Sequence, residues 1–257
     1  MSLEPSEEKG YHGKLMIATP FYSMAGWSPY ISSLAMSIRV LERAGVEWTF
    51  VNHSGDSYID RARNSIADMF VDSEFTDLLF IDSDMAWDEI GFARILCAKA
   101  DIVGAAYPCK NRWDDWGVRL LTNYDATHTP IINKAGLLKA HSVPTGMCKI
   151  NKRVFQLLSV VQHDNHYYEQ GHRIYNFFGR IPPLGEDTSF CKRCRDASID
   201  MWVEPRVNVG HSGWKMHEGS FHKYLTEFKG DFNAAPEWLT NRTVKTMDTA
   251  LSEEVKS

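Results

Sequence analysis

The sequence predicts an α/β protein with a doubly wound, mixed and mainly parallel sheet flanked by helices. Four apolar, strand-like runs alternate with three helical segments between residues 14 and 106, as in doubly wound sheets. The run at 78–81 is apolar at every position, which is typical of a parallel strand buried on both faces. With 257 residues, 44% of them hydrophobic and 24% charged, the chain is long and apolar enough to enclose such a sheet.

The first half of the chain supplies most of this alternation. Short apolar runs predict strands at 14–19, 46–52, 77–81 and 101–106. Helices are predicted at 30–44, 59–70 and 87–98. The first helix has apolar residues at helical spacing, a start signal at Ser28-Pro29 and a stop signal at Gly45.

The pattern becomes less regular after Pro108. It predicts a short strand near 137–140, a helix at 152–161, a helix from Gly185 to near Ala197 and a strand at 201–204. The segment 163–183, rich in aromatic residues, His and Gly, is predicted to be a long loop. We expect a single domain, 1–257, with halves at about 14–108 and 109–215 and a C-terminal tail at 216–257.

Composition limits the classes of function. A net charge of −5 argues against a protein that binds polyanions over its whole surface. Five cysteines at irregular spacing do not suggest a disulfide framework and suit a reducing compartment. The N-terminal residues lack the apolar core of a signal peptide, and no apolar run approaches the ~20 residues of a membrane helix. The expected location is cytoplasmic, without a membrane span.

A pair of aspartates marks the end of the most apolar strand. Asp82-Ser83-Asp84 follows the run at 78–81, and ligands of open α/β sheets bind at the carboxyl ends of strands. Residues i and i+2 of a strand point the same way, so the two carboxylates are expected to converge on one Mg²⁺ or Mn²⁺ ion. The alternative is that they only solvate the strand end or cap the next helix.

The order of four motifs resembles the GT-A glycosyltransferases. The motifs are Asp82-Ser83-Asp84, Pro144-Thr145-Gly146, Gly185-Glu186-Asp187 and His211, and the resemblance covers about 14–215. It looks closest to the small members of bacteria, phages and large DNA viruses. It implies a GT-A fold and a metal-dependent hexosyl- or pentosyltransferase that uses a nucleoside-diphosphate sugar, most often a UDP-sugar. For a phage or viral enzyme, the location would be the host cytoplasm.

The resemblance implies a metal centre and a catalytic base. Asp82, Asp84 and His211 would bind Mn²⁺ (or Mg²⁺), and the histidines at positions 217 and 222 are alternatives for the third ligand. Asp187, with Glu186 beside it, would take the proton of the acceptor hydroxyl in an inverting enzyme. A retaining enzyme does not need that base, and the two acids also suit the N-terminus of a helix.

The resemblance also implies a donor site in the first half and an acceptor site in the second. The residues expected to bind the nucleotide-sugar are Thr19, Pro20, Phe21, Arg61, Arg63, Asn64, Ser83 and Gly146. Tryptophans at 113, 116 and 214 would flank the acceptor, although each one singly suits the core better. The acceptor would be a glycan or a hydroxymethylated pyrimidine in phage DNA.

Basic residues and a Cys-x-x-Cys pair leave two further alternatives open. A cluster of cations could line a polyanion groove or form solvated helix faces: Lys149, Lys152, Arg153, Lys192, Arg193 and Arg195. Cys191 and Cys194 lack a second pair at zinc-binding spacing, so packing is the preferred interpretation.

Three other functions fit parts of the pattern. A haloacid-dehalogenase-type phosphohydrolase would use Asp82 as nucleophile, but its motif usually ends the first strand and here ends the third. A nucleotidyltransferase of related fold would need a Gly-rich basic loop after the first strand, which is not found there. A non-catalytic nucleotide-sugar-binding module is the third alternative.

Overall fold

The computed structural model describes residues 10–22, 25–110, 116–123, 129–213 and 216–227. The helices, numbered in chain order, are α1 (Ser28–Ala44), α2 (Ile59–Asp72), α3 (Glu89–Cys97), α4 (Lys152–Val161), α5 (Glu186–Asp196) and α6 (Phe221–Glu227). The strands are β1 (Leu15–Phe21), β2 (Trp48–Ser54), β3 (Asp77–Ile81), β4 (Met85–Trp87), β5 (Ile102–Gly104), β6 (Arg119–Leu120), β7 (Leu138–Ser142), β8 (Met147–Asn151), β9 (His166–Glu169), β10 (His172–Tyr175), β11 (Met201–Val203), β12 (Val209–Ser212) and β13 (Met216–His217).

Eight of these strands form the central sheet, in the order β2-β1-β3-β8-β5-β11-β7-β6. Strand β1 pairs in parallel with β2 and β3, and β5 pairs in parallel with β11. Strands β8 and β7 run antiparallel to their neighbours, so six strands point one way and two the other. The predicted mixed, mainly parallel α/β sheet is therefore confirmed.

Alternate residues of the central strands enter two separate cores. On one face Met16, Ala18, Leu78 and Phe80 pack with apolar residues of α2, α4 and α5. On the other face Leu15, Ile17, Leu79 and Ile81 pack with α1 and α3. Side chains alternate along a strand, so an unbroken apolar run is what a sheet covered by helices on both sides requires.

Local signals fix the ends of the helices. Gly45 ends α1 in the left-handed conformation, with φ of 64°, which a residue without Cβ adopts at no steric cost. Asp88 begins α3, where its carboxylate accepts a 2.6 Å hydrogen bond from the Gly91 amide. Gly185 precedes α5, and Glu186 and Asp187 occupy its first turn, where the helix dipole favours acids.

Two sequence expectations are wrong in this part of the fold. The segment 163–183, predicted as a loop, contains the antiparallel hairpin β9–β10, which turns at Gln170 and Gly171 with φ of 49° and 85°. A two-residue turn with both φ positive matches strand twist, but Gln-Gly is a weaker signal for it than Asn-Gly. The helix predicted from 87 begins at Glu89, because Met85–Trp87 pairs with β12 as a strand.

Some expectations lie beyond what the structure describes. Tryptophans 113 and 214 and the tail beyond 227 lie outside the described residues. The division into halves at 14–108 and 109–215 stays a prediction. Within the described residues, no helix is both long and apolar enough to span a bilayer.

Candidate functional site

The two aspartates lie in a tight turn between β3 and β4. The turn is fixed by backbone hydrogen bonds: the Asp82 amide donates to the Gly146 carbonyl at 2.9 Å, and the Met85 amide donates to the Asp82 carbonyl at 3.1 Å. Asp82 and Asp84 are therefore not residues i and i+2 of one strand, as the sequence analysis assumed. The chain leaves the central sheet after Ile81 and enters a second sheet at Met85, so strand alternation does not apply between them.

Asp82 forms an ion pair with Arg63 of α2. One guanidinium nitrogen of Arg63 donates to both carboxylate oxygens of Asp82, at 2.9 and 3.2 Å. The Arg63 side chain is only 2% exposed and its guanidinium lies 5.2 Å from the centre of the Phe80 ring. Its Nε and Nη1 atoms have no hydrogen-bond partner among the described residues. Asp82 thus offsets a buried positive charge.

Asp84 faces a different pair of groups. Its Oδ2 atom bonds the Lys110 ammonium and lies 3.6 Å from Nε2 of His211. Its Oδ1 atom is buried without a hydrogen-bond partner among the described residues. Burial acts to raise the pKa of Asp84, but His211 and Lys110 together outweigh it and hold that pKa below its ordinary value.

A second contact of His211, with the Pro108 carbonyl, orients its ring. Strand β12 pairs with β4 so that His211 lies opposite Met85, next to the turn. Its Nδ1 atom is 3.0 Å from the Pro108 carbonyl oxygen, which can only accept a hydrogen bond. Nδ1 therefore donates to that oxygen, which leaves Nε2 as the ring atom that faces Asp84. Metal-binding histidines are oriented in this way.

The three predicted metal ligands thus fall into two pairs. Asp84 and His211 come together, whereas Asp82 is turned to Arg63. Among the described residues, no three His, Cys, Asp or Glu side chains are grouped as a metal site. His217 lies opposite His211 in the β12–β13 pairing and is one strand further from Asp84.

A cleft of about 330 Å³ opens beside the turn. It is lined by Pro20, Phe21, Tyr22, Asp56, Ser57, Ile59, Ala62, Asp82, Ser83, Asp84 and Arg180. The cleft lies at the carboxyl ends of β1 and β3, where ligands of open α/β sheets bind. Among the described residues that line it, three are acids and Arg180 is the one cation. The structure gives Arg180 no hydrogen bond or ion pair with another described residue.

The predicted donor residues divide between this cleft and the protein interior. Pro20, Phe21 and Ser83 line the cleft. Thr19 does not, because it is fully buried and its hydroxyl lies 2.6 Å from that of Tyr30. The apolar surroundings raise the pKa of Tyr30 to about 12. Thr19 is therefore part of the core, contrary to its expected contact with the nucleotide.

Two further donor predictions are not supported by the contacts of α2. Arg61 donates through Nε to Asp56 at 2.7 Å and its side chain is largely exposed. Asn64 donates to Asn176 at 2.9 Å and accepts from the Phe178 amide at 2.8 Å, so both ends of its amide group hold the segment before Arg180. Neither side chain lines the cleft. The three-residue spacing puts Arg61 and Asn64 on one face of α2, but their tertiary contacts direct the two side chains to different partners.

Gly146 supports the turn from below. Its carbonyl holds the Asp82 amide, and its own amide donates to the Tyr107 hydroxyl at 3.0 Å. A Cβ atom on Gly146 would lie 2.3 Å from that hydroxyl and 2.7 Å from the Met85 methyl group. Only glycine fits this close approach without a rearrangement.

The two predicted catalytic acids lie at the start of α5, outside the lining of the 330 Å³ cleft. The pKa of Glu186 is raised, mainly by burial and further by Asp187, while Arg63 opposes the rise. One carboxylate oxygen of Asp187 accepts from the Thr188 amide at 2.6 Å. Tyr107 is buried within electrostatic reach of Asp82 and Asp187, and burial raises its pKa well above the ordinary value. Glu186 and Asp187 therefore belong to the charge network of Arg63.

The acceptor predictions that can be located are not supported. Trp116 is buried in the core, 5.2 Å from Phe221 between ring centres. The predicted basic cluster does not form a groove, because its members have local partners. Lys149 donates to the Leu96 and Ala98 carbonyls, Lys152 to Val71 and Ser73, Arg153 to Asp101, Lys192 to Asp196 and Arg195 to the His141 carbonyl, while Arg193 is buried.

The cysteines pack as expected. Cys191 and Cys194 are free thiols buried in the core, and burial raises the pKa of each. A thiol in such surroundings is neither a zinc ligand nor a nucleophile.

Two site residues escaped the sequence analysis. Arg180 lies in the segment predicted to be a long loop, and Lys110 lies in the irregular segment after β5. Neither belongs to a motif that the sequence analysis singled out. The usable signal was topological: both follow chain segments that return to the carboxyl edge of the sheet.

Comparison with known proteins gives structural neighbours only. No protein-family model and no curated protein matches the sequence. Among solved structures, GalNAc-T7 with UDP, GalNAc and Mn²⁺ is 11% identical with a TM-score of 0.44, covering 78% of this chain and 44% of that one. Drosophila β1,4-galactosyltransferase 7 with manganese, UDP-Gal and xylobiose is 13% identical with a TM-score of 0.39, covering 73% and 64%.

The inositol-1-phosphate CTP transferase of T. maritima is 11% identical with a TM-score of 0.39, covering 74% of this chain and 85% of that one. The chain thus spans less than two thirds of the first two neighbours. These neighbours are transferases of the glycosyl and nucleotidyl types. At such low identity, a reaction has to be inferred from the residues of the site.

Proposed function

We propose that this protein is a metal-dependent GT-A-type glycosyltransferase that moves a sugar from a nucleoside-diphosphate sugar, a UDP-sugar first of all, to an acceptor hydroxyl. The observation that carries the proposal is the pairing of Asp84 with His211 at the mouth of a cleft between β1 and β3. The order of motifs along the chain supports the same function. A cleft at this edge suits a cation and a diphosphate together, because its lining includes three aspartates and Arg180, which has no ion pair among the described residues.

The residues at Asp84 fit a divalent cation such as Mn²⁺ or Mg²⁺. Oδ1 of Asp84 is buried without a hydrogen-bond partner among the described residues, and Nε2 of His211, whose other ring nitrogen is held by Pro108, faces the same carboxylate. A carboxylate and an imidazole are ligands that Mn²⁺ accepts, with phosphate oxygens and water completing the set. The bound cation would neutralise the charge that develops on the departing nucleoside diphosphate.

Other residues of the chain would bind and orient the donor. Arg180 would contact the diphosphate, because a guanidinium matches phosphate geometry and this one has no partner among the described residues. Phe21, which also lines the cleft, would offer an aromatic face to the base. Gly146 and Arg63 fix the turn that carries Asp82 and Asp84. Arg180 and Phe21 would thus contact the donor, whereas Gly146 and Arg63 would hold the turn in place.

Asp187 would accept the proton of the acceptor hydroxyl if the enzyme inverts configuration. It lies at the N-terminus of α5, beside Glu186 and near Tyr107. Glu186, with its raised pKa, is the second candidate for this role, because a base works best when its pKa is close to the working pH. One oxygen of Asp187 accepts from Thr188, which would hold the carboxylate in a fixed orientation.

The acceptor side of the proposal favours a glycan over DNA. Each predicted polyanion-binding cation on α4, α5 and β8 is either paired locally or buried. A duplex would need several free cations along one face. A hydroxymethylated pyrimidine stays the second candidate acceptor. The Arg63–Asp82 pair argues against a phosphohydrolase, because a carboxylate that offsets a buried guanidinium is a weak nucleophile.

Thermal unfolding with a panel of nucleoside diphosphates and UDP-sugars, with and without Mn²⁺, tests the proposal. A ligand at 100 times its Kd stabilises the native state by about 2.7 kcal/mol. For a chain of this size the midpoint should rise by roughly 5–10 °C. We expect such a shift with one nucleotide in the presence of Mn²⁺ and its loss with chelator or in Asp84→Asn. No shift with any nucleotide would refute the proposal.

A further inference from the structure

Lys110 is a residue of the candidate metal subsite that no motif predicts. It follows Pro108, whose carbonyl orients His211, and its ammonium bonds Oδ2 of Asp84. That same oxygen is the one that lies 3.6 Å from His211 Nε2. A single carboxylate oxygen therefore contacts an ammonium and also faces the Nε2 atom of an imidazole.

We propose that Lys110 competes with the divalent cation for Asp84 and so sets the metal affinity of the site. This inference rests on the proposed function, because it assumes that Asp84 and His211 take a metal. A metal ion and an ammonium on one oxygen atom would be like charges a few ångströms apart. A metal ion held by Asp84 and His211 together would bind Oδ2, the oxygen that His211 faces, so the Lys110 ammonium has to withdraw.

The two ion pairs of the turn differ in how easily they can open. The Lys110 side chain is 37% exposed and Asp84 is 22% exposed, so water can solvate the ammonium as it withdraws. The Arg63 side chain is 2% exposed, and its withdrawal from Asp82 would leave a guanidinium buried without a counter-charge. Lys110 is thus the exchangeable cation and Arg63 the permanent one.

The competition has a direct consequence for metal binding. Removing the Lys110 charge should free Oδ2 and also remove a repulsive charge next to the incoming ion. Met is a suitable replacement because it keeps the unbranched shape of the lysine side chain. We expect Lys110→Met to bind Mn²⁺ about three- to fivefold more tightly than the wild type, the upper part of the range of a partly exposed ion pair.

Mn²⁺ binding without nucleotide, measured from the electron paramagnetic resonance signal of the free ion, tests the inference. The matched control is Lys139→Met, which removes the same charge from an ion pair with Asp200 in a different part of the sheet. It should stay within about twofold of the wild type, and Asp84→Asn should bind more than tenfold more weakly. Unchanged or weaker binding by Lys110→Met, or tightening by both lysine variants alike, would overturn the inference.

A second measurement uses the wild-type protein and does not depend on the variant folding. Acetylation of lysines by a water-soluble active ester, read by mass spectrometry, reports how free each ammonium is. Saturating Mn²⁺ should raise labelling of Lys110 several-fold relative to Lys139. Equal labelling with and without Mn²⁺ would refute the competition.

The outcomes separate this inference from the function on which it rests. If UDP-sugar turnover requires Mn²⁺ while Lys110→Met binds the ion like the wild type, only the competition is wrong. If neither nucleotide nor Mn²⁺ binds and Asp84→Asn changes nothing, the proposed function fails as well.

Discussion

The two ends of one three-residue turn behave differently in this protein. Asp82 is bound to an arginine that is almost wholly buried, and Asp84 is bound to a lysine that reaches solvent. The first pair closes the turn onto α2 and the second leaves a carboxylate open towards a cleft and a histidine. The two aspartates of this motif therefore differ in role: Asp82 stabilises the turn, and Asp84 is the proposed metal ligand. The predictions below test that division.

The largest effect is expected at Asp84, the end of the turn that lines the cleft. Asp84→Asn removes the charge that Mn²⁺ needs, and loss of one metal ligand should lower sugar transfer by about 10³-fold. Initial rates with a UDP-sugar over a range of Mn²⁺ concentrations measure it. The matched variant Asp82→Asn should lose less Mn²⁺ affinity, because Asp82 is already paired with Arg63. Equal loss of Mn²⁺ affinity in both variants would abolish the distinction between the two ends.

A similar effect on turnover, without loss of binding, is expected at α5. Asp187→Asn should lower kcat by roughly 10²- to 10⁴-fold if this carboxylate is the general base. Donor affinity, followed by calorimetry, should stay unchanged because Asp187 does not line the cleft. The same loss in Glu186→Gln with Asp187→Asn fully active would move the role to Glu186.

The ion pair between Arg63 and Asp82 should matter most for stability. Asp82→Asn leaves the Arg63 guanidinium, whose side chain is only 2% exposed, without its counter-charge and should lower the free energy of unfolding by about 3 kcal/mol. Urea unfolding followed by circular dichroism measures this. The control is Arg153→Met, which breaks an ion pair with Asp101 in which Arg153 is mostly exposed, and it should cost less than about 1 kcal/mol. Similar losses in both variants would mean that the Arg63 pair is no stronger than a surface pair.

A smaller effect on substrate binding is expected at the wall of the cleft. Arg180→Met should raise the KM for the nucleotide-sugar by about tenfold, the value of one charge-assisted hydrogen bond to a phosphate. Stability should be nearly unchanged, because Arg180 has no ion pair among the described residues and is exposed. A variant with normal KM would show that the diphosphate is bound elsewhere.

The sequence was most informative where burial alone decides the structure. The strand at 77–81 and the helix after Ser28 were predicted at nearly their final positions, because apolar periodicity and caps act locally. The 82–84 turn was not, because its geometry depends on β4 pairing with β12, more than 120 residues away in the chain. A local pattern carries no information on that pairing.

The candidate site shows the same limit at the level of side chains. The sequence identified Asp84 and His211, and the structure brings them together. It assigned Thr19 and Asn64 to the donor, although Tyr30 and Phe178 hold them in the interior. The partner of a polar group is a tertiary property. The sequence shows which charged residues are present, and the fold determines which of them come into contact.

The smallest expected effect is a pH dependence of stability that comes from Glu186, whose pKa is influenced by Arg63. Burial raises the pKa of Glu186 above its ordinary value of 4.5, against the opposing effect of Arg63. The folded state therefore binds a proton more tightly than the unfolded state. Wild-type stability should decrease relative to Glu186→Gln as the pH rises from about 4.5 through the raised pKa, and then level off.

Arg63 gives a way to sharpen this result. Arg63→Met removes the group that opposes the rise, so the pKa of Glu186 should increase further and the window of falling stability should extend to higher pH. Urea unfolding at half-unit pH steps, with Glu186→Gln in both backgrounds, isolates the contribution of Glu186. A pH dependence identical in the two backgrounds would mean that Glu186 does not feel Arg63. The closed pair would then hold Asp82 alone, and the acids of α5 would be independent of the turn.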